Sequence, residues 1–108
     1  MAEKRNISKR YPKRLQLRFG QEGHLHMAFT EDISDTGLFI KTTRTYPPNT
    51  NLDIKLLTGD DKEVNIKGTV MWAKKVPVSI VHITKKAGMG IKIAQISAGE
   101  DVYKKLLI

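Results

Sequence analysis

Apolar and polar residues alternate along most of this chain. Leu15, Leu17 and Phe19 fall on one side, with Arg14, Gln16 and Arg18 on the other. After the turn Gly20-Gln21-Glu22-Gly23, Leu25, Met27 and Phe29 alternate with His24, His26 and Ala28. A period of two marks a strand with one buried face. The pattern therefore predicts that Leu25, Met27 and Phe29 point inward and the two histidines toward solvent. Similar runs follow at Leu38-Phe39-Ile40, at Leu52, Ile54 and Leu56, and at Val64, Ile66, Val70 and Trp72. A β-branched run spans Val76 to Ile83, and Met89, Ile91 and Ile93 form the last alternation. Tyr46-Pro47-Pro48-Asn49 interrupts the pattern, since proline fixes φ and removes a donor. Thr58-Gly59-Asp60-Asp61 reads as a hairpin turn and Lys85-Lys86-Ala87-Gly88 as another turn. Gly68 marks a bend or bulge within its strand.

Only the end of the chain changes period. Ser97-Ala98-Gly99-Glu100 has the spacing of a capping box, and Val102, Tyr103, Leu106 and Leu107 recur at helical intervals. The expected fold is all-β: six or seven short antiparallel strands, then one short C-terminal helix. Closure into a small barrel would remove exposed strand edges. Residues 1–13 carry no apolar periodicity and are expected to form a flexible basic arm ahead of a single domain over residues 14–108.

Composition narrows the chemistry. At 108 residues the chain is long enough for one hydrophobic core. It has no cysteine, which excludes disulfides and thiolate metal sites. It has no run of about 18 apolar residues and no apolar segment behind its charged start, so neither membrane insertion nor a signal peptide is expected, and the cytoplasm is the expected location. The net charge is +8 and is unevenly placed. Lys4, Arg5, Lys9, Arg10, Lys13, Arg14 and Arg18 face only Glu3 within the first 20 residues, a local +6 that leaves +2 for the remainder. Such an end is either a solvated basic tail or the contact for an anionic partner.

Two motifs favour the second reading. Arg10-Tyr11-Pro12-Lys13-Arg14 has the form RxxxR, and Asp32-Ile33-Ser34-Asp35-Thr36-Gly37 the form DxSxxG. A guanidinium is planar, always charged and presents donors in a fork. It can pair with guanine O6 and N7, stack on a base or clamp a phosphate. In an extended segment, four-residue spacing puts the two arginines on one side, about 13 Å apart at full extension, although Pro12 argues against regular strand pairing there. Asp32 can accept from guanine N1–H and N2–H, and Ser34 can donate or accept. Both residue types also close turns by bonding their own backbone, which is the other reading of this segment. Gly37 supplies either a positive φ or room for a close approach.

Taken together and in this order, the two motifs resemble the PilZ domain family. The resemblance extends to the strand ending Gly68-Thr69-Val70-Met71-Trp72 and the late strand Gly88-Met89-Gly90-Ile91-Lys92-Ile93. It implies a six-stranded antiparallel barrel that binds cyclic di-GMP without catalysis. It also implies that Arg10, Arg14, Asp32, Ser34 and Gly37 contact that ligand. Lys9 directly precedes RxxxR, where residue identity in the family tends to affect how many ligands bind; Trp72 could pack at the pocket rim or in a barrel end. Both are secondary candidates. Such a sensor would order its arm on the ligand and signal through an unidentified downstream protein. No cofactor or metal is expected. His24 and His26 could share a metal as neighbours on one strand face, but they lack a nearby carboxylate or thiolate in that strand and read as solvent-facing.

Two further readings compete. A basic small barrel can bind nucleic acid, but only seven residues are aromatic and most fall at inward or isolated positions, which disfavours a stacking platform. A PilZ-like adaptor that does not bind the nucleotide is the other. No nucleophile–base–orienter set and no phosphate-binding glycine loop is present, which argues against an enzyme.

Overall fold

The structure, a computed structural model, describes residues 9–75 and 87–107. The described residues form seven strands and one helix, in order β1 (Tyr11–Pro12), β2 (Gln16–Gly20), β3 (His26–Ile33), β4 (Gly37–Lys41), β5 (Asn51–Leu57), β6 (Glu63–Lys74), β7 (Gly88–Ala98) and α1 (Glu100–Lys105). All pairings are antiparallel. The sheet runs β3-β2-β5-β6-β7-β4, and β4 pairs back onto β3. Six strands thus close into a barrel, as the alternation implied, and β1 is an extra strand on β3. Leu17, Ile33, Leu38, Ile54, Ile66 and Met89 are among the side chains that fill the interior. The expected run from Val76 to Ile83, with His82 and the Lys85-Lys86 turn, lies outside the described residues.

β1 occupies the length of β3 that β2 leaves free. β2 pairs with His26 to Phe29, while Tyr11 and Pro12 lie opposite Ile33 and Asp32. The segment expected to be an arm through residue 13 therefore meets the barrel at Tyr11. Pro12 is tolerated because proline fits an edge strand, where its missing donor disrupts no interior ladder. Lys13 N–H resumes the bonding, donating to the Glu31 carbonyl at 3.2 Å.

The expected facing of β3 is reversed. Directly paired residues share a side, and Leu17 lies opposite Ala28 while Phe19 lies opposite His26. With Leu17 and Phe19 in the core, Ala28 and Thr30 are buried, whereas Leu25 is 73% and Met27 56% exposed. His26 is half-buried rather than solvent-facing. Its ring sits 5.3 Å from Phe19, and Nε2 lies 3.0 Å from the Tyr46 hydroxyl. Thr30 is satisfied inside because its Oγ1 accepts from Leu15 N–H at 2.9 Å and donates to the Lys13 carbonyl at 2.6 Å.

The capping box is also corrected. β7 stays paired with β6 as far as Ala98 opposite Asn65, so Ser97 is still in the strand. Its hydroxyl donates to the Asn65 carbonyl at 3.3 Å instead of capping the helix. The N-cap is Gly99, with φ of 84°. A Cβ there would stand 2.5 Å from the Glu63 carbonyl oxygen, so the left-handed turn also needs the missing side chain. Glu100 and Asp101 in the first turn, and Lys104 and Lys105 in the last, complement the helix dipole.

Candidate functional site

The DxSxxG segment is the turn between β3 and β4, and its shape is set from within. Ser34 is fully buried. Its Oγ accepts from the backbone N–H groups of Thr36 (3.3 Å) and Gly37 (3.1 Å), and lies 3.2 Å from the Gly37 carbonyl, to which it can donate. Ser34 N–H bonds the same carbonyl at 2.8 Å. From the far end of the chain, the Tyr103 hydroxyl donates to the Ser34 carbonyl at 2.6 Å. Burial pushes the Tyr103 phenol well above its ordinary range, which keeps it a donor. Gly37 is not among the positive-φ glycines. Its requirement is the close approach of β7, because a Cβ there would run into the Ile91 carbonyl oxygen.

Just ahead of the turn, β3 bulges. Thr30 lies opposite Ile40 and Asp32 opposite Phe39, which leaves Glu31 as the extra residue. β1 delivers Arg10 to this point. The Arg10 guanidinium holds Asp32 Oδ1 through Nε at 2.7 Å and through Nη2 at 2.6 Å.

Arg10, Glu31, Asp32, Gly37, Phe39, Trp72, Lys74 and Lys92 are among the residues lining a cavity of 620 Å³. That volume lies within the range of small-molecule sites, roughly 300–1,000 Å³. Its floor is aromatic. Trp72 stacks on Phe39 at 5.3 Å with 19° between planes, and remains 49% exposed. Gly90 makes this possible: it lies opposite Trp72, and a Cβ on it would collide with the indole. The register shift between Val70 and Trp72 takes Trp72 out of the core alternation and into the lining of the cavity.

Arg14 lies beside a second cavity of 390 Å³, lined also by Phe29, Glu31 and Lys41. Its Cζ sits 3.8 Å over the Phe29 ring. Lys9 Nζ lies 5.3 Å over the Tyr11 ring. So Arg10, Asp32, Gly37 and Trp72 share one cavity, Arg14 stands at its neighbour, and Ser34 lies beneath, committed to the turn. Glu31 walls both cavities. Alternation in the sequence gave no sign of Glu31, because a bulge has no period. Lys74 carries no signal of its own, and Gly90 and Lys92 stand in the late strand of the resemblance with no role assigned; the pairing of β6 with β7 brings all three to the cavity.

No helix among the described residues is long and apolar enough to cross a membrane. Comparison with curated proteins gives no match. Among solved structures, Bacillus subtilis inhibitor of motility (MotI/DgrA) superimposes with a TM-score of 0.70 at 14% identity. The match covers 96% of this chain and 53% of that one, so the chain spans about half the length of that structure and the likeness is one of fold. The PilZ domain profile matches residues 3–107. That range takes in both motifs, every barrel strand and the helix, and the chain belongs to the PilZ domain family.

Proposed function

We propose that this chain is a non-catalytic receptor for cyclic di-GMP that signals through a partner protein. The observation that carries the reading is the Arg10–Asp32 pair at the mouth of a cavity floored by an exposed indole. The ligand has two flat purines and two phosphates, and the cavity offers a surface suited to each. Stacking of one base on Trp72 would contribute about 1–3 kcal/mol. Arg10, Lys74 and Lys92 supply positive charge for the phosphates. Arg14, at the adjoining cavity, extends the cationic wall so that a ligand spanning both meets both arginines. Asp32 holds the Arg10 fork in place before the ligand arrives, which lowers the ordering cost of binding. In this reading the N-terminal arm becomes ordered on the ligand, and the rearranged surface is what a partner recognises.

Calorimetric titration with cyclic di-GMP at physiological salt, with cyclic di-AMP as control, tests the reading. Saturable binding confined to the guanine ligand is expected, and its stoichiometry defines the role of Lys9. Absence of heat together with an unchanged melting temperature would sink the receptor assignment and leave a PilZ barrel that acts as an adaptor.

A further inference from the structure

The outer face of β3 keeps the large apolar side chains that its inner face lacks. Ala28 and Thr30 are buried, while Met27 is exposed, Phe29 is half-buried and Leu25, just ahead of the strand, is exposed. Residues two apart in a strand share a face and stand about 7 Å apart, so Met27 and Phe29 form a row on the outside of the barrel. Gln16 braces it, its Nε2 donating to Met27 Sδ at 3.3 Å. Single exposed apolar residues are ordinary, but a contiguous row rimmed by charge marks an interaction surface.

The rim is cationic. Arg18 lies directly opposite Met27, and Lys41 directly opposite Phe29. Directly paired residues share a side, so the two cations flank the row. Both are exposed, and neither forms an ion pair among the described residues. Arg14 lies over the Phe29 ring and also has no carboxylate partner among them. Lys55, next to Arg18 on β5, is already met by Glu63 at 3.7 Å. An apolar row with unmatched positive charge on both sides is complementary to an apolar surface that carries carboxylates.

The side chains favour a protein over other anionic partners. Met, Phe and Arg are enriched in protein interfaces, and Met adapts its shape to what it meets. A nucleic acid needs open rings on which bases stack, and the Phe29 ring is covered by Arg14. A bilayer takes up apolar side chains that reach into its acyl boundary. Phe29 is half-buried beneath a guanidinium, which leaves Met27 and Leu25 alone to enter. Arg18 and Met27 lie outside the lining of both the 620 and the 390 Å³ cavities. The row meets the smaller cavity only at its other end, where Phe29, Arg14 and Lys41 form part of the wall.

We infer that this face is the docking surface for an acidic segment of a partner protein, with apolar side chains set among its carboxylates. It gives the receptor reading, on which it rests, a place for the partner. A protein seated on Met27 and Phe29 abuts the cavity where Arg14 would hold the ligand.

The test uses the full chain labelled at its methionine methyl groups and observed by NMR. Met27 reports this face, Met71 the cavity that Arg10 lines, and Met89 the core. The probe is a short soluble peptide of glutamate, leucine and serine. One control peptide has lysine in place of glutamate, and the other has serine in place of leucine. At physiological salt the acidic peptide should shift the Met27 signal, leave Met89 unmoved, and bind more tightly than either control. Arg18→Glu should weaken that binding by about tenfold or more and favour the lysine peptide instead. Met27→Ser should weaken it without lowering the melting temperature appreciably, because the side chain is exposed.

No shift at Met27, or equal binding of all three peptides, would overturn the docking surface. So would a Met27 signal that responds to phosphatidylserine–phosphatidylcholine vesicles and not to the peptide, which would make this a membrane face. A Met27 signal that moves with protein concentration alone would make it a contact between copies, and would also overturn it. Cyclic di-GMP added to the same sample separates the two readings. If Met71 does not respond to the nucleotide while Met27 responds to the peptide, the receptor reading fails and the docking surface stands. The reverse pattern removes the docking surface alone.

Discussion

Tyr103 is where the C-terminal helix reaches the motif turn, and its hydroxyl can be removed without disturbing the packing of its ring. The side chain is 2% exposed and its donor lies 2.6 Å from the Ser34 carbonyl. Tyr103→Phe keeps the buried ring and deletes this one bond, leaving the carbonyl of a fully buried residue without that donor. The loss of a buried bond with one partner left behind costs about 1–3 kcal/mol. For a domain of about 100 residues, each kcal/mol lowers the melting temperature by about 4–8 °C. Thermal unfolding near neutral pH should therefore show Tyr103→Phe melting at least about 4 °C below the unmodified protein.

The pH dependence gives an independent check. The phenol has an ordinary value of 10.0 and is raised in the folded protein, chiefly by burial. The folded state then holds its proton more tightly than the unfolded chain does. The contribution of Tyr103 is fully present below pH 10 and is lost as the pH rises through the raised folded value. The stability gap between the unmodified protein and Tyr103→Phe should be flat from about pH 6 to 9 and narrow above pH 10. Taking the difference cancels the lysines, which titrate in both proteins. Melting temperatures that coincide, or a gap that does not narrow in alkali, would refute the assigned bond.

Other expectations follow from the cavity. Arg10→Ala and Arg14→Ala should each weaken cyclic di-GMP binding by about 1.5–3 kcal/mol in calorimetry. Melting of either ligand-free variant should barely move, because an exposed ion pair contributes about 0–1 kcal/mol and an exposed cation–π contact about 0.5–1 kcal/mol. Trp72→Ala should cost about 1–3 kcal/mol of ligand affinity through lost stacking, again with little change in melting. Gly90→Ala should displace the indole, so tryptophan fluorescence should shift in the free protein and ligand affinity should fall. Cyclic di-GMP affinity should decline only gently with log salt; a slope equivalent to six or more neutralised phosphates would instead favour the nucleic-acid reading.

The barrel was legible because period-two alternation and turn residues are local signals, and each strand of a closed barrel buries one face. What alternation cannot say is which side of a strand is inside. On β3 the larger apolar residues lie outward, because Phe19 and Leu17 have already set the inner face of β2 and their partners must share it. The inner row is accordingly Ala28 and Thr30, with His26 half-buried beside Phe19 and Tyr46, and Thr30 is satisfied by Leu15 and Lys13. The candidate site was legible in part for the same reason. Arg10, Asp32 and Gly37 stand in short motifs, and their types announce their chemistry. Ser34 belongs to the same motif, yet its hydroxyl is consumed in building the turn, a distinction that depends on burial and not on residue type. Glu31 escapes the sequence altogether. One inserted residue in β3 turns it toward the cavities, and only the pairing of Thr30 with Ile40 and Asp32 with Phe39 reveals the insertion. The site thus combines a cationic motif that composition discloses with an acidic wall that a break in register creates.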